Sequence, residues 1–322
     1  MEDRDSQADR PSTKSHIMSI SPPVLLNADL PLPLFVRGKV RDTYDLGDLL
    51  LIVATDRISA FDVVLPCGIP NKGLVLNKLS AFWFNQTRDL LPNHLVEMVD
   101  DVHCLDAYLP AGSRFTYPSY LAGRSMVVKK VKRILVECVV RGYISGSAWV
   151  EYKQYGTVSG NPMPKGLEES QELPQPLFTP TTKAETGHDL PLSMDEVGGL
   201  VSKGIAEEIR EKSLAIYSYA RGYAVTRGII IADTKFEFGL DGDKLILIDE
   251  LLTPDSSRIW DADLYKVGQS QESYDKQPVR DWLTASGWNK EPPAPMLPPE
   301  VIEATSERYE QAYERLTGRK LS

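Results

Sequence analysis

The sequence predicts an α+β fold of two lobes, with mixed, largely antiparallel sheets and a C-terminal helix. Short apolar strand patterns precede and alternate with helical patterns, without the repeating strand–helix–strand rhythm of a doubly wound sheet. The chain has 322 residues, which is more than one typical hydrophobic core needs. We therefore expect an N-terminal lobe at 31–124, a central lobe at 125–268, and a proline-rich segment with a closing helix at 269–322 that packs on the core.

The amino-acid composition excludes several classes of protein. The chain has 36 Lys and Arg against 45 Asp and Glu, a net charge of −9, whereas a nucleic-acid-binding protein needs a basic face. No stretch approaches the roughly 18 apolar residues of a membrane helix, and residues 1–30 form a polar, flexible tail without the apolar segment of a secretory signal. The 3 cysteines and 4 histidines show neither a disulfide framework nor metal-ligand spacing. These features indicate a reduced, cytoplasmic protein with no nucleic-acid or membrane partner.

The elements of the N-terminal lobe follow from local patterning. Residues 35–54 predict two short strands around a turn at 46–48, because apolar runs flank a Leu-Gly-Asp sequence. Residues 76–84 carry apolar side chains at helical spacing, which predicts a helix that ends before Pro92.

In the central lobe and the tail, capping residues and prolines mark the boundaries. Residues 193–196 (Ser-Met-Asp-Glu) fit a capping box, which opens a helical region that lasts to about residue 226. Apolar side chains at 309–316 mark one face of a closing helix that Gly318 can terminate. The remaining expectations are strands at 126–128, 134–140, 228–238 and 244–251, and a proline-rich stretch without a regular element at 162–180.

The segment 229–239 carries three charges on one face of a predicted strand. Side chains alternate along a strand, so Asp233, Lys235 and Glu237 share a face. The other face takes Ala232, Thr234, Phe236 and Phe238. Two carboxylates that flank an ammonium group above a core are costly without a reason, and Mg²⁺ with nucleotide phosphates would supply one. The alternative is the solvated face of an ordinary antiparallel strand.

The next strand decides whether a further carboxylate joins this face. A two-residue Asp-Gly turn would pair Asp249 with Thr234, on the apolar face. A three-residue loop that ends in a left-handed Gly242 would pair Asp249 with Asp233 instead. We expect the second register, in which Glu237 and Asp249 are the metal carboxylates.

Three other segments carry cations next to glycine or serine, which suit contact with phosphate. Residues 38–41 (Gly-Lys-Val-Arg) begin a hairpin, although a plain edge hairpin explains them about as well. Arg141 and Ser147 flank a small-residue turn that opens a helix, where the alternative is an ordinary helix cap. Arg258 follows Asp249 closely enough to return to the same site.

Six motifs follow one another in a fixed order: GKVRDTYD, ATDRISAFD, ECVVRGYISGSAW, FTPTTKAETGHD, IADTKFEFG and IDELLTPDSSRIWD. Over about residues 35–285 they resemble the phosphoribosylaminoimidazole-succinocarboxamide synthase (SAICAR synthetase) family, in its single-function, fungal-like form. The resemblance implies a purine-biosynthesis ligase that uses ATP and Mg²⁺ to join L-aspartate to the carboxylate of carboxyaminoimidazole ribonucleotide (CAIR), through an acyl phosphate, giving SAICAR, ADP and phosphate. It also implies a monomer with ATP between two lobes related to kinases and ATP-grasp enzymes.

The resemblance further implies roles for individual residues. Lys235 would bridge ATP and the CAIR carboxylate, Asp233 would lie beside the imidazole, and Glu237 and Asp249 would hold Mg²⁺. The implied ATP-binding residues are Gly38, Lys39, Val40, Arg41, Lys129, Arg133 and Lys235. The implied ribonucleotide residues are Arg141, Ser147 and Arg258, with Asp56, Ser59, Lys183 and Asp189 on the side of the base and of aspartate. Some members have Lys at the position of Arg41 and Met at that of Arg133, so the adenine contact of Arg133 rests on its backbone.

The residue types agree with phosphoryl transfer, which needs positioning and charge neutralisation rather than a covalent nucleophile. The aspartate amine must lose a proton before it attacks, and either Asp233 or phosphate could accept that proton. Two other functions stay open at this point. One is a small-molecule kinase on the same lobes, and the other is a non-catalytic nucleotide-binding module.

Overall fold

The computed structural model describes residues 23–109, 116–183, 189–274 and 276–321. The expected flexible tail up to residue 22 and His188 of the fourth motif lie outside the described residues. Within those ranges, no helix has the length and apolar character needed to cross a membrane.

In chain order the strands are β1 (Leu34–Arg37), β2 (Arg41–Asp45), β3 (Leu49–Ala54), β4 (Arg57–Ala60), β5 (Val63–Gly68), β6 (Leu95–Met98), β7 (Ser125–Lys129), β8 (Lys132–Arg133), β9 (Val136–Tyr143), β10 (Thr157–Val158), β11 (Asn161–Pro162), β12 (Glu172–Thr182), β13 (Ile229–Asp241), β14 (Lys244–Ile248) and β15 (Ser257–Asp261). The helices are α1 (Lys72–Thr87), α2 (Gly146–Tyr155), α3 (Met194–Leu200), α4 (Lys203–Val225), α5 (Gln277–Ala285) and α6 (Pro299–Thr317), with 3₁₀ helices at Val102–Ala107 and Ser119–Leu121. This mixture of antiparallel sheets and helices, closed by a C-terminal helix, confirms the predicted α+β class.

The first sheet is antiparallel in the order β1-β2-β3-β7-β6. The two strands predicted around the turn at 46–48 are β2 and β3. Strand β7 pairs with β3, so it completes this sheet, although the expected boundary at residue 124 would assign it to the central lobe. Residues 23–30 were expected in the flexible tail, but Ala28 and Leu30 are buried, and the Ala28 amide donates to Asp42 at 2.9 Å. The first sheet therefore continues beyond the expected boundary at residue 124, and Ala28 and Leu30 pack against it.

The second sheet has the order β12-β9-β13-β14, and β13 also pairs with β15 and β8. Its core face packs on α4, where Ile216 and Tyr217 join Phe236 and Phe238 in the main hydrophobic cluster. The Tyr217 hydroxyl donates to the backbone carbonyl of Ile231 at 2.7 Å. Strand β13 thus has one well-packed face, and its other face is available for polar groups.

The proline-rich stretch at 162–180 contains a strand, contrary to the expectation of irregular structure. Strand β12 lies at the end of the sheet order, where a missing proline N–H removes no bond from a second neighbour. Its register with β9 shifts between Glu172 and Leu177, the interval that holds two of its prolines.

The helical predictions are largely confirmed. Ser193 and Glu196 form the predicted capping box, and α6 ends at the left-handed Gly318. The region up to residue 226 is two helices, because the Ser202 hydroxyl accepts from the Ile205 amide and starts α4 as a new helix. The sequence did not predict α5, which packs with α6 beside the β4–β5 hairpin.

The β13–β14 hairpin has a different register from the expected one. Asp241 pairs with Lys244 and Glu237 pairs with Ile248, so the turn consists of Gly242 and the aspartate that follows it. Gly242 is left-handed, as expected, with φ 62°. The expected pairing of Asp249 with Asp233 is wrong, and Asp249 lies just beyond the end of β14.

A bulge in β13 also changes which side chains share a face. The register between β13 and β15 shifts between Ile231 and Asp233. Ala232, at the shift, packs with Trp260 in a cluster separate from the main core that holds Phe236. Since a bulge redirects the side chains that follow it, Ala232 does not share the face of Phe236, contrary to the prediction.

Candidate active site

The predicted charged face of β13 is present, and each of its three charges is paired. Asp233 and Glu237 are only 7% and 5% exposed, which argues against an ordinary solvated strand face. Their partners come from β9, from β15 and from the residue after β12, which sequence periodicity does not reveal. The ion pairs are Asp233 with Arg141 and Arg258, Lys235 with Glu137, and Glu237 with Lys183.

Asp249 joins this face by a backbone change and not by strand pairing. Because Ile248 lies opposite Glu237, regular alternation would direct the next side chain to the other face. Asp249 leaves the strand with φ 70°, a left-handed conformation that is uncommon for residues other than glycine. Its carboxylate then accepts from Arg41 Nη2 at 2.7 Å, and Glu250 lies 3.8 Å from the same nitrogen. The two predicted metal carboxylates are near enough for the charge of Asp249 to raise, after burial, the pKa of Glu237.

The electrostatics of the pair are asymmetric. Burial, and then the charge of Asp249, raise the pKa of Glu237 to about 7. Burial alone would also raise the pKa of Asp249, but Arg41 and Lys183 outweigh it and hold that pKa at about 2. Asp249 is therefore ionised near neutral pH. The cations around Glu237 do not offset the effects of its burial and of the Asp249 charge on its pKa.

His94 lies beside Asp249, and the sequence analysis did not predict it as a site residue. Its ring lies edge-on to Phe84, its amide donates to the Leu247 carbonyl at 2.9 Å, and its Nε2 has no hydrogen-bond partner among the described residues. Burial lowers its pKa to about 4, so the ring is neutral. A neutral ring beside Asp249 adds no further charge to the carboxylate pair.

An open cavity of about 200 Å³ lies at the other end of the charged face. Four cations line it, Arg141, Lys235, Arg258 and Arg280, against two carboxylates, Asp233 and Asp255. The rest of the lining is Val139, Ser147, Thr234, Pro254, Ser256 and Ser257. Its excess of guanidinium and ammonium groups suits an anionic ligand such as a phosphate or a carboxylate.

Two guanidinium groups are fixed at this cavity by local contacts. Arg141 Nε lies 3.2 Å from the Thr179 hydroxyl, and its Nη2 lies 3.4 Å from the Ser147 hydroxyl. Arg258 lies against Gly146, at the start of α2, where a Cβ would overlap the guanidinium group. Gly146 also has φ 54°, so the small-residue turn of the third motif lets Arg258 approach the backbone. Arg280 comes from α5, which explains why no motif indicated it.

The residues predicted to contact ATP phosphates lie on the turn between β1 and β2. Arg41 points to Asp249, as above, whereas Lys39 pairs with Asp62 at 2.6 Å. The Val40 carbonyl accepts from the amide and hydroxyl of Thr55, and the Gly38 carbonyl accepts from Arg57. Hydrogen bonds from Thr55 and Arg57 to these backbone carbonyls therefore fix the turn between β1 and β2.

Lys129 and Arg133 lie near the β13–β14 hairpin. Lys129 pairs with Asp241 at 2.7 Å, with both side chains exposed. Arg133, also exposed, lies in β8 opposite Gly239 of β13. Neither residue lies in the carboxylate cluster or lines the cavity.

Asp56 occupies a structural position. Its carboxylate is fully buried and accepts from the amides of Leu25 and Gly73, each at 2.8 Å, and from Arg124 at 3.0 Å. All these partners are protein groups, so Asp56 anchors the chain around the start of α1. Ser59 lies in β4 and Asp189 is exposed, and neither residue lines the cavity.

A carboxylate pair beside a cationic cavity that suits phosphate or carboxylate groups is typical of enzymes that act on nucleotides. The fold and the site define an enzyme of this class.

Comparisons with known proteins give the family. The family model for SAICAR synthetase matches residues 34–295. The phosphoribosylaminoimidazole-succinocarboxamide synthase of Thermodesulfovibrio yellowstonii is 52% identical over 296 residues, 92% of this chain and 99% of the relative. The SAICAR synthase of Saccharomyces cerevisiae, solved in complex with SAICAR, superposes with a TM-score of 0.83 at 47% identity, covering 92% of this chain and 99% of that one. A SAICAR synthetase solved in complex with ADP gives a TM-score of 0.63 at 25% identity, covering 88% and 98%.

The chain belongs to the SAICAR synthetase family. It is an ATP-dependent ligase of purine biosynthesis that joins CAIR and L-aspartate. The fungal-like form stays a prediction, because the bacterial relative matches the same share of this chain as the yeast structure does, at 52% against 47% identity.

Proposed function

We propose that the two halves of the ligase reaction take place at the two ends of the polar face of β13. The carboxylate pair would bind ATP through Mg²⁺, and the cationic cavity would bind CAIR. The observation that carries this proposal is the position of Lys235. It lies between Asp233 and Glu237 along the strand and also lines the cavity, and Glu137 raises its pKa against the effect of burial. A charged ammonium group between the two sites can neutralise a phosphoryl group in transit.

The donor set near Asp249 fits Mg²⁺. Among the described residues, no group of three or more His, Cys, Asp or Glu side chains could hold a metal ion by itself, and Glu237 and Asp249 would be two carboxylate ligands. Mg²⁺ characteristically takes one or two carboxylates and keeps places for water and phosphate oxygens. When bound, it would neutralise the charge that gathers on the phosphates. The residues that face ATP from the other side would be 38–41, with Lys129 and Arg133 further out.

The cavity would take the ribonucleotide through charge-assisted hydrogen bonds. Arg141, Ser147 and Arg258 would bind its phosphate and carboxylate, and Arg280 joins them because it lines the same space. Lys183 pairs with Glu237, so it would face the reacting carboxylate from the ATP side. We keep Ser59 and Asp189 as candidates for the aspartate side, and we assign Asp56 a structural role.

The chemistry would proceed in two steps. The CAIR carboxylate attacks the γ-phosphorus of ATP, the bond to ADP breaks, and an acyl phosphate forms beside Lys235. The amine of L-aspartate then attacks the acyl carbon, the C–N bond forms, and the phosphate leaves with one oxygen of the original carboxylate. The amine must lose a proton first. Because Asp233 already accepts hydrogen bonds from Arg141 and Arg258, we assign that proton to the phosphate.

The route is tested with CAIR labelled by ¹⁸O in its carboxylate. We expect ¹⁸O to appear in the released phosphate, and unlabelled phosphate would contradict the acyl phosphate. Omission of each substrate in turn separates the alternatives. ADP formation without CAIR, or multiple turnovers without aspartate, would favour a kinase, whereas strict dependence on both supports the ligase.

Two variants test the site itself. Lys235→Ala and Glu237→Gln should each lower kcat by about 10²-fold or more, because each removes a charge that would stabilise the transferring group. Glu207→Gln, an exposed residue of α4 paired with Arg210, is the matched control and should keep wild-type kcat. Wild-type turnover in Lys235→Ala and Glu237→Gln would contradict the assignment and favour a non-catalytic role.

We also propose a cytoplasmic monomer. The apolar face of α6 is covered by the chain's own core, with Tyr309, Ala312 and Leu316 buried, and Cys67, Cys104 and Cys138 are free thiols, as in a reducing compartment. Sedimentation at micromolar concentration should give a single species of the chain mass, and a dimer would contradict the monomer.

A further inference from the structure

A buried ionic cluster lies behind the wall of the cavity. We call it the anchor cluster, and it consists of Lys72, Asp255, Lys276 and Tyr309. Asp255 Oδ2 lies 2.9 Å from Lys72 Nζ and 3.1 Å from Lys276 Nζ, and Asp255 Oδ1 accepts from the Tyr309 hydroxyl at 2.6 Å. One carboxylate thus joins the start of α1, the residue before α5, and α6.

The cluster is costly for a purely structural contact. The side chains of Lys72 and Asp255 are 0% and 3% exposed, and burying an ion pair often gains nothing over apolar packing of the same volume. Burial lowers the pKa of Lys72, whereas Lys276 and Lys72 together hold the pKa of Asp255 well below its usual range, against the effect of burial. The carboxylate is therefore ionised and fixed in direction, which an apolar contact would not achieve.

Asp255 belongs to the loop at 252–257, which forms one wall of the cavity. The loop folds on itself through the Thr253 amide, which donates to the Ser256 hydroxyl at 3.1 Å. It is tied to the charged strand where the Lys235 amide donates to the Ser256 carbonyl at 2.9 Å. The loop also contacts the residue that follows Asp249, because the Thr253 hydroxyl donates to Glu250 at 2.7 Å. The anchor cluster therefore holds the outer side of a loop whose inner side lines the cavity.

The cluster also fixes the start of α5. The Arg280 amide donates to the Lys276 carbonyl at 2.9 Å, so Lys276 and Arg280 are one helical turn apart. Lys276 points to Asp255, and Arg280 lines the cavity. A single carboxylate thus sets the position of the wall loop and that of a cavity arginine.

We propose that Tyr309 and Lys276 are positioning residues for the ribonucleotide. Through Asp255 they hold the loop at 252–257 and the first turn of α5 in the geometry that accepts it, which gives the C-terminal helix a role in substrate affinity. The proposal rests on the assignment of the cavity to CAIR, made above. Neither Tyr309 nor Lys276 lines the cavity, so both act through Asp255.

The test is Tyr309→Phe, which removes one hydroxyl and keeps the buried ring. We expect KM for CAIR to rise about threefold to tenfold, the equivalent of up to about 1.4 kcal/mol, while KM for ATP changes less than twofold. Hydrogen exchange at the amides of 252–257, measured without ligands, should become faster. Lys276→Met, the second variant, should move both measurements in the same direction.

The matched control is Tyr313→Phe, one turn further along α6. Tyr313 is buried in the same hydrophobic cluster as Tyr309, and no described contact joins it to the loop, so loss of its hydroxyl should leave KM for CAIR and loop exchange unchanged. Unchanged loop exchange in Tyr309→Phe, or faster exchange with an unchanged KM for CAIR, would overturn the inference. A uniform loss of active enzyme with both KM values preserved would also overturn it, since that is a stability effect alone. If the wild-type enzyme did not require CAIR, the proposed function would fall, while loop exchange would still report on the anchor cluster.

Discussion

Glu237 should make the metal-free protein less stable as the pH rises, and its replacement by Gln should remove that effect. In the unfolded chain this carboxyl group loses its proton near pH 4.5, whereas in the folded protein its pKa is about 7. Between these values the folded state binds an additional proton, so stability rises as the pH falls through this window. Above about pH 7 the folded protein carries the unfavourable charge of the buried Glu237 carboxylate beside that of Asp249.

The magnitude follows from the two pKa values. Each pH unit between 4.5 and about 7 corresponds to about 1.4 kcal/mol, so the total is about 3 kcal/mol. Glu237→Gln should therefore be more stable than the wild type by about 3 kcal/mol at pH 8, and the difference should fall to near zero by pH 4.5. The side chain is 7% exposed, so solvent screens this charge little.

The assay is urea denaturation in EDTA, followed by tryptophan fluorescence, for the wild type and Glu237→Gln from pH 4.5 to 8. Glu207→Gln is the control, because Glu207 is exposed and paired with Arg210, and it should not gain stability as the pH rises. A difference that does not depend on pH, or a wild type that is more stable than Glu237→Gln at pH 8, would refute the reasoning. A more stable but inactive Glu237→Gln enzyme is the expected signature of a site that trades stability for function.

Three further variants test other parts of the site. Asp249→Asn removes the charge that raises the pKa of Glu237, so the pH dependence of stability should shrink while ATP-dependent turnover falls about 10²-fold. Gly146→Ala places a Cβ against Arg258 at a positive φ, so KM for CAIR should rise at least tenfold with KM for ATP unchanged, and unchanged kinetics would mean that Arg258 does not bind there. Asp56→Asn should lower the free energy of unfolding by about 3 kcal/mol, as expected when a buried ionic partner is removed, and a defect confined to substrate affinity would return Asp56 to the site.

The charged face of β13 could be predicted from the sequence because strand alternation is local. Asp233, Lys235 and Glu237 follow each other at intervals of two residues, and no other part of the chain is needed to place them together. The bulge at Ala232 could not be predicted in the same way, because it arises in the pairing with β15. The sequence of β13 around it shows no glycine or proline that would indicate one.

Most ion-pair partners of the charged residues could not be predicted from the sequence. Glu137 lies in the third motif, yet only the pairing of β9 with β13 brings it to Lys235. Lys72 and Asp255 are separated by more than half of the chain, and neither belongs to a charge pattern that would suggest the other. Such contacts depend on the tertiary arrangement of sheets and helices, which local patterning does not fix.

The hairpin between β13 and β14 shows how a wrong register could still place Asp249 near Glu237. The linking residues contain both Asp-Gly and Gly-Asp, and each is a good two-residue turn, so turn chemistry alone cannot choose the register. Had Asp249 remained within the strand, the observed register would have placed it away from Glu237. Strand alternation does not apply to Asp249, because the residue lies beyond the end of β14 with φ 70° and Arg41 binds its carboxylate. The carboxylate pair therefore depends on the contact with Arg41 more than on the pairing of the two strands, and that contact joins the first sheet to the second.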